Sequence, residues 1–458
     1  MKIEKRKLSI ILLINIFISI LCIYLYQSGI FYKLSSKNVY TDITPAVLSP
    51  VNAKELNLKI YSSGAVLLES STGKILYGKN ENQKLYPAST TKILTAILAI
   101  ENCNLTDKLT ASNTAISSIP SGYSNAAIQP GETLTVEELL ELFLIHSANE
   151  VGYIFAEQIS GNVENFATLM NKKATELGCK NTHFTNPSGL QDTNHYSTAY
   201  DMALIARYCM ENTTFRNIVS KTSCTIKATE KYQERYFKNT NDLINPSSKY
   251  YYEYAIGIKT GFTSQAKNCL ISASKKGDLE LIAVALGAEA TEDGRSGRYM
   301  DSTNLFEYGF SNYRMQQIAN KNTVINEITV ENATKDTKNL SLLLKDNITA
   351  LTPTNLDINK LNYSIELNEN ISAPIIEGSI LGKVTYNIDG ITYSSDLIAS
   401  HSVDEINNSL SIVQIVLAVI VLLILIKLFS TKKKRKSSNK KSGKKRKYKN
   451  YDSIYKFD

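Results

Sequence analysis

The sequence predicts a mixed α/β domain built on an antiparallel sheet, then a small all-β domain, with an apolar helix at each end of the chain. Three observations carry that expectation. Strand-like and helix-like patterns alternate over residues 57–314, with strands at both ends of the segment. Short β patterns dominate residues 315–403, and two long, nearly uncharged runs, Leu8–Leu25 and Leu410–Phe429, flank the whole. A chain of 458 residues is long enough for such a plan.

The elements follow in order. Residues 1–7 are basic, and Leu8–Leu25 is an 18-residue apolar run broken only by Ser9, Asn15 and Ser19. That order is the order of a secretory signal. No A-x-A cleavage site follows, and about 18 apolar residues just span a bilayer. Residues 1–30 therefore read as a signal peptide or as a signal anchor. Residues 31–56, with Pro45 and Pro50, read as a linker.

Within residues 57–314, Gly64–Ser70 and Lys74–Gly78 predict a hairpin around Ser71-Thr72-Gly73. Ile93, Leu94, Ile97, Leu98 and Ile100 mark a buried helix, and Val136–Ile145 and Ala199–Met210 are helical in pattern. Ala255–Thr260, Cys269–Ser274 and Leu279–Gly287 read as strands, the last two joined at Lys276-Gly277-Asp278. In the second domain Thr323–Val330 and Lys383–Tyr386 read as strands, and Asp389-Gly390 is a hairpin signal.

The run at 409–429 contains IVLAVIVLLILI and suits a transmembrane helix. Behind it, residues 430–458 form a basic tail; Thr431–Asp458 holds 13 Lys/Arg against 2 Asp. The positive-inside rule puts this tail and the basic amino terminus in the cytoplasm, with the domains between them outside a cell membrane. Lipid is then the expected contact of both terminal helices. The net charge of +8 comes from these ends, since the remaining chain carries 34 basic and 40 acidic residues. No nucleic-acid partner is expected. Six cysteines without a C-x-x-C pair, and four histidines outside H-E-x-x-H spacing, argue against a disulfide framework, a zinc site or any metal.

Three short motifs can carry chemistry. In Ser89-Thr90-Thr91-Lys92 the serine and lysine are three residues apart at the start of the buried helix, so they share a face. A serine hydroxyl is a weak nucleophile without an adjacent base, and a lysine can be that base when burial lowers its pKa. Ser147-Ala148-Asn149 follows a helix and can bring a hydroxyl and an amide into a cleft. Lys259-Thr260-Gly261 ends a strand, where a cation and a hydroxyl can grip a carboxylate while glycine lets a backbone approach. Each motif alone is weak. Together, in this order and in these contexts, they are the set of penicillin-binding proteins and serine β-lactamases.

At that point the chain resembles the low-molecular-mass penicillin-binding proteins, the serine-type D-alanyl-D-alanine carboxypeptidases of peptidase family S11. The stretches YPASTTKILTA (86–96), THFTNPSGL (182–190), HYSTAYDMA (195–203) and GIKTGFTSQAKNCL (257–270) carry the likeness, and the small β domain fits that family's carboxy-terminal domain. The resemblance implies Ser89 as acylated nucleophile, Lys92 as its general base, and Ser147 and Asn149 in proton relay and substrate positioning. It implies that Lys259 and Thr260 bind the terminal carboxylate beside Gly261, and that the N–H groups of Ser89 and Phe262 hold the oxyanion. It further implies peptidoglycan stem peptides as substrate, β-lactams as inhibitors and no cofactor. Glu150-Val151 stands where the family commonly has Asp-Ala, and Phe262 where some relatives carry His. A D,D-endopeptidase or β-lactamase on the same fold, or a catalytically idle wall-binding protein, remain alternatives. His146, His183 and His195 read as structural, since no G-x-S-x-G elbow accompanies them.

Overall fold

Alternating patterns within residues 57–314 become strands and helices in the expected places. The structure, a computed structural model, describes residues 58–229, 231–406 and 409–438. All of them belong to one compact unit, Leu48–Asp458. The leader, most of the linker and the end of the basic tail lie outside the described residues.

The sheet of the first domain has five antiparallel strands: β1 (Gly64–Glu69), β2 (Ile75–Lys79), β3 (Ala255–Thr263), β4 (Lys267–Lys276) and β5 (Leu279–Ala288). Their order is β2-β1-β5-β4-β3. The first strand thus pairs with the last, from Gly64 opposite Leu286 to Glu69 opposite Leu281. The central strands are buried on both faces and read as continuous apolar runs rather than alternating ones.

Helices cover both faces. On one, α1 (Lys92–Asn102), α2 (Val136–Glu141), α3 (Asn149–Ser160), α4 (Val163–Glu176) and α5 (Ala199–Glu211) gather around Val66, Leu68, Ile93, Ile97, Phe143 and Phe155. On the other, α6 (Gly297–Asn312) lays Leu305, Phe306 and Tyr308 against Leu67, Leu281 and Ala283. Capping is local and explicit: Thr135 and Glu138 form a capping box at α2, and Thr198 caps α5. The YYYEY run packs here too, with Tyr252 and Tyr254 against Phe306 and Phe310.

The second domain holds β6 (Tyr313–Ala319), β7 (Val324–Thr329), β8 (Asn339–Leu344), β9 (Ile348–Pro353), β10 (Tyr363–Leu367), β11 (Ile380–Ile388) and β12 (Ile391–Ala399). Five of these form one sheet in the order β7-β8-β12-β11-β10, while β6 pairs β9. Asp389 and Gly390 both take positive φ at the β11–β12 turn, as a two-residue hairpin of this kind requires. The Lys74 amine pairs with the Asp389 carboxylate and also donates to Asp389 O at 2.8 Å, tying this turn to the β1–β2 turn.

One expectation is not supported. A helix, α7 (Ser409–Ser438), does form over the expected spanning run. Among the described residues, however, no helix is long and apolar enough to cross a membrane.

Candidate active site

Four short segments meet where β3 runs alongside the start of α1. Ala88–Thr91 is a single 3-10 turn that leads directly into α1 and carries Ser89. Ala88 sits at φ +48°, a conformation that strains a residue with a Cβ and is characteristic of functional sites. Gly189 presses on this turn so closely that a Cβ there would stand 1.9 Å from Ala88 O. Gly261 presses from the other side: a Cβ would lie 3.0 Å from Ser89 N and 3.1 Å from Thr90 N. The Ser89 turn is therefore held between two glycines, and β3 brings its backbone against that of Ser89.

Lys92 is the centre of the arrangement. Its side chain is fully buried, and its amine lies 2.9 Å from Ser89 Oγ, 2.7 Å from Asn149 Oδ1 and 2.8 Å from Ser188 O. Burial, reinforced by the charge of Lys259, holds its pKa well below the usual lysine range, and only Glu150 opposes this. A neutral amine has two N–H donors and one lone pair. With the amine neutral, Asn149 Oδ1 and Ser188 O would take the two donors and leave the lone pair for the Ser89 hydroxyl. That is the geometry of a general base.

Helix α2 reaches this point through a π turn, Leu142–His146, which ends at Ser147 with φ +72°. Single π turns and left-handed residues of this kind recur at functional sites. The turn reverses the chain so that Asn149 opens α3. Asn149 is pinned from outside: its N and Nδ2 both donate to Ser124 O, at 3.0 and 2.8 Å. Ser188 Oγ donates to Asn149 O at 2.8 Å. The Ser147 hydroxyl, among the described residues, makes no hydrogen bond.

The far wall is cationic. Lys259 is buried and donates only to Thr260 O, at 3.2 Å. Burial, with the Arg298 guanidinium as a second cause, pulls its pKa down to about 7. Thr260 Oγ1 shares a 2.6 Å hydrogen bond with Thr240 Oγ1. Arg298 comes from α6 and donates to Gly261 O at 3.1 Å, yet its buried Nε has no partner. Phe262 follows, 62% exposed at the rim. Arg298 also donates to Cys269 O and the Tyr299 hydroxyl, and among the described residues no carboxylate faces either cation, so the strand end forms a site for an anionic group.

All eight residues expected from the sequence, Ser89, Lys92, Ser147, Asn149, Lys259, Thr260, Gly261 and Phe262, thus lie on these segments. Several were not expected. Ser188 accepts from the Lys92 amine through its carbonyl; its stretch THFTNPSGL carries the family likeness alone. Arg298 stands in GRSGRYM without any motif. Glu150 is buried, accepts from Ala126 N at 2.6 Å and leaves Oε2 without a partner, and burial raises its pKa. His195 is structural: its ring lies 2.9 Å from Thr91 Oγ1 and accepts from Thr185 N at 3.1 Å, and burial lowers its pKa to about 4. Among the described residues no cluster of His, Cys, Asp or Glu could hold a metal ion.

Residues 50–290 match the family described as D-alanyl-D-alanine carboxypeptidase, peptidase S11, and residues 313–405 match the C-terminal domain of penicillin-binding protein 5. The chain belongs to the S11 D-alanyl-D-alanine carboxypeptidase family. It is 36% identical to D-alanyl-D-alanine carboxypeptidase DacF of Bacillus subtilis, over 74% of this chain and 85% of that protein. Among solved structures, penicillin-binding protein 5 from Haemophilus influenzae superposes with a TM-score of 0.58 at 29% identity, covering 76% of this chain and 98% of that one. The Streptomyces K15 DD-transpeptidase superposes at 0.51 with 31% identity, over 55% of this chain and 98% of that one. As an S11 carboxypeptidase the chain is a serine-type hydrolase, and its two domains have the penicillin-binding protein 5 architecture.

Proposed function

We propose that this carboxypeptidase removes the terminal D-Ala from peptidoglycan stem pentapeptides through an acyl-enzyme on Ser89. The observation that carries the assignment of roles is the Lys92 amine, desolvated and 2.9 Å from Ser89 Oγ with its other hydrogen-bonding positions filled. The substrate's terminal carboxylate binds at Lys259 and Thr260, with Arg298 behind them. Ser89 Oγ attacks the carbonyl carbon of the penultimate D-Ala as its proton passes to Lys92 Nζ. The developing oxyanion is held by the N–H groups of Ser89 and Phe262, which act as preorganised donors. Collapse breaks the peptide bond, the amine of the departing D-Ala takes the proton back through Lys92 and Ser147, and water then hydrolyses the ester. A β-lactam, a strained amide with a nearby carboxylate, acylates the same serine.

The catalytic domain works outside the cytoplasmic membrane, held there by α7. Supporting this are the unbroken apolar run Ile415–Ile426, the exposed side chains from Val413 to Ile426, and the basic cluster that follows. Apolar side chains exposed over four turns of helix call for lipid rather than water.

D-alanine release from a D-Ala-D-Ala peptide, measured alongside Ser89→Ala, tests the cycle. The parent releases D-alanine and is labelled by penicillin; the variant does neither. Labelling of a folded Ser89→Ala protein would overturn the nucleophile. Rapid release of the bound penicillin would favour a β-lactamase, and preference for cross-linked dimers would favour an endopeptidase.

A further inference from the structure

A cavity of about 420 Å³ opens at the end of the catalytic sheet, where β3 turns into β4. Gln265 and Lys267 form one wall; Lys84 and Tyr86, just upstream of the nucleophile turn, form another; Thr193 and Tyr196 close it. The walls are tied together. Leu85 and Ser197 exchange both backbone hydrogen bonds, at 2.8 and 2.9 Å. The Cys269 thiol donates to Tyr86 O, joining that segment to β4. Two lysines line this cavity and no carboxylate does. Lys267 pairs with Glu289. Lys84 has no carboxylate partner among the described residues; its amine stands 4.4 Å from the centre of the Tyr196 ring, which fixes a cation without neutralising it.

The direction of β3 gives this cavity its place. If the leaving carboxylate lies at Lys259–Thr260 and the scissile carbonyl at Phe262 N, a substrate extended along the strand runs from Lys259 towards Thr263. Its acyl side then continues over the hydrogen bond from Thr263 Oγ1 to Gln191 Oε1, 3.1 Å long, towards Gln265–Lys267. The chain itself takes only the step from Thr263, the end of β3, to Gln265 to reach the cavity wall, and at about 3.3 Å per residue two or three residues of extended peptide span a comparable length.

We infer that this cavity is an acyl-side subsite that receives a carboxylate two residues upstream of the penultimate D-Ala, with the Lys84 amine as its charged partner. The inference rests on the carboxypeptidase reading above and deepens it, because it makes the enzyme a reader of the donor peptide as well as of its D-Ala-D-Ala end. A charge-assisted contact in a cleft favours one substrate over its neutral isostere, and a lysine already steadied by an aromatic face loses less freedom in making it.

The test uses the full chain in detergent micelles and three peptides ending in D-Ala-D-Ala: an N-acetylated tripeptide that stops short of the cavity, a pentapeptide with glutamate at its second position, and the same pentapeptide with glutamine there. The parent is expected to favour the glutamate peptide by about tenfold in kcat/KM, mainly through KM. Lys84→Gln should erase that preference, Lys84→Arg should keep it, and tripeptide turnover should stay unchanged in both. Equal rates on the two pentapeptides in the parent, or a preference that survives Lys84→Gln, would overturn the subsite. So would an equal loss on the tripeptide, which would mark Lys84 as structural. A parent that penicillin acylates but that hydrolyses none of the peptides would instead sink the carboxypeptidase reading, and the subsite with it.

Discussion

The two walls of the cleft each bury a lysine, and the two lysines are finished differently. Lys92 meets three oxygens within 2.9 Å, so its wall is complete before any substrate arrives. Lys259 has one acceptor, the carbonyl of its own neighbour, and stands beside an arginine whose Nε is unpaired. Burial depresses both pKa values, yet the consequences are opposite in sense. Lys92, its pKa held well below the usual range, is suited to take a proton in the proposed cycle. Lys259 is a cation kept under desolvation strain, which an incoming carboxylate relieves. One wall is built for the reaction and the other for recognition.

Substitutions can break that contrast. The largest effect is expected at Lys92: Lys92→Met should slow penicillin acylation by about 10³-fold, the usual range for loss of a general base, in a protein that still folds by near-ultraviolet circular dichroism. Lys259→Met should lower kcat/KM on a D-Ala-D-Ala peptide by about 10²-fold, since it removes a charged contact, but only slightly on the same peptide with an amidated terminus. If both peptides lose equally, the wall is not reading the carboxylate.

The pH profile sharpens the same point. Lys259 must be protonated to bind an anion, and its free-enzyme pKa lies at about 7. Thus kcat/KM should fall as pH rises through about 7, while Lys92, which must be unprotonated, gives the limb that rises with pH. Lys259→Arg, which stays charged, should remove the falling limb and spare the rising one. In kcat the falling limb should move to higher pH, because bound carboxylate favours the cation. The smallest effect belongs to the seam between the walls. Gly261→Ala adds a Cβ 3.0 Å from Ser89 N and should slow acylation by less than about tenfold.

The sequence was most legible where function is concentrated in neighbours. Ser89 and Lys92 share a helical turn, and Lys259 to Phe262 are consecutive on one strand, so spacing alone places them. The sheet of the first domain was legible because its central strands β1 and β5 are nearly continuous apolar runs, and the β11–β12 hairpin because Asp-Gly has a preferred turn. Arg298 was not legible: it reaches the site only because α6 packs across β5 and β4 and its first turn meets the end of β3, a tertiary fact with no local signal. Ser188 contributes a carbonyl, which any residue type could supply. The π turn at Leu142–His146 was hidden for a related reason, since its apolar pattern is nearly that of an ordinary helix. The run at 409–429 is helical as expected, while its role in a membrane stays a proposal.

The pairing of β1 with β5 also bears on how the enzyme is made. Glu69 and Leu281 are neighbours in the sheet but more than two hundred residues apart in the chain. The catalytic sheet cannot close until nearly the whole domain has been synthesised, and contacts of such long range form slowly. The nascent domain therefore stays open, because the long loop it must close holds back the native state until β5 has been made.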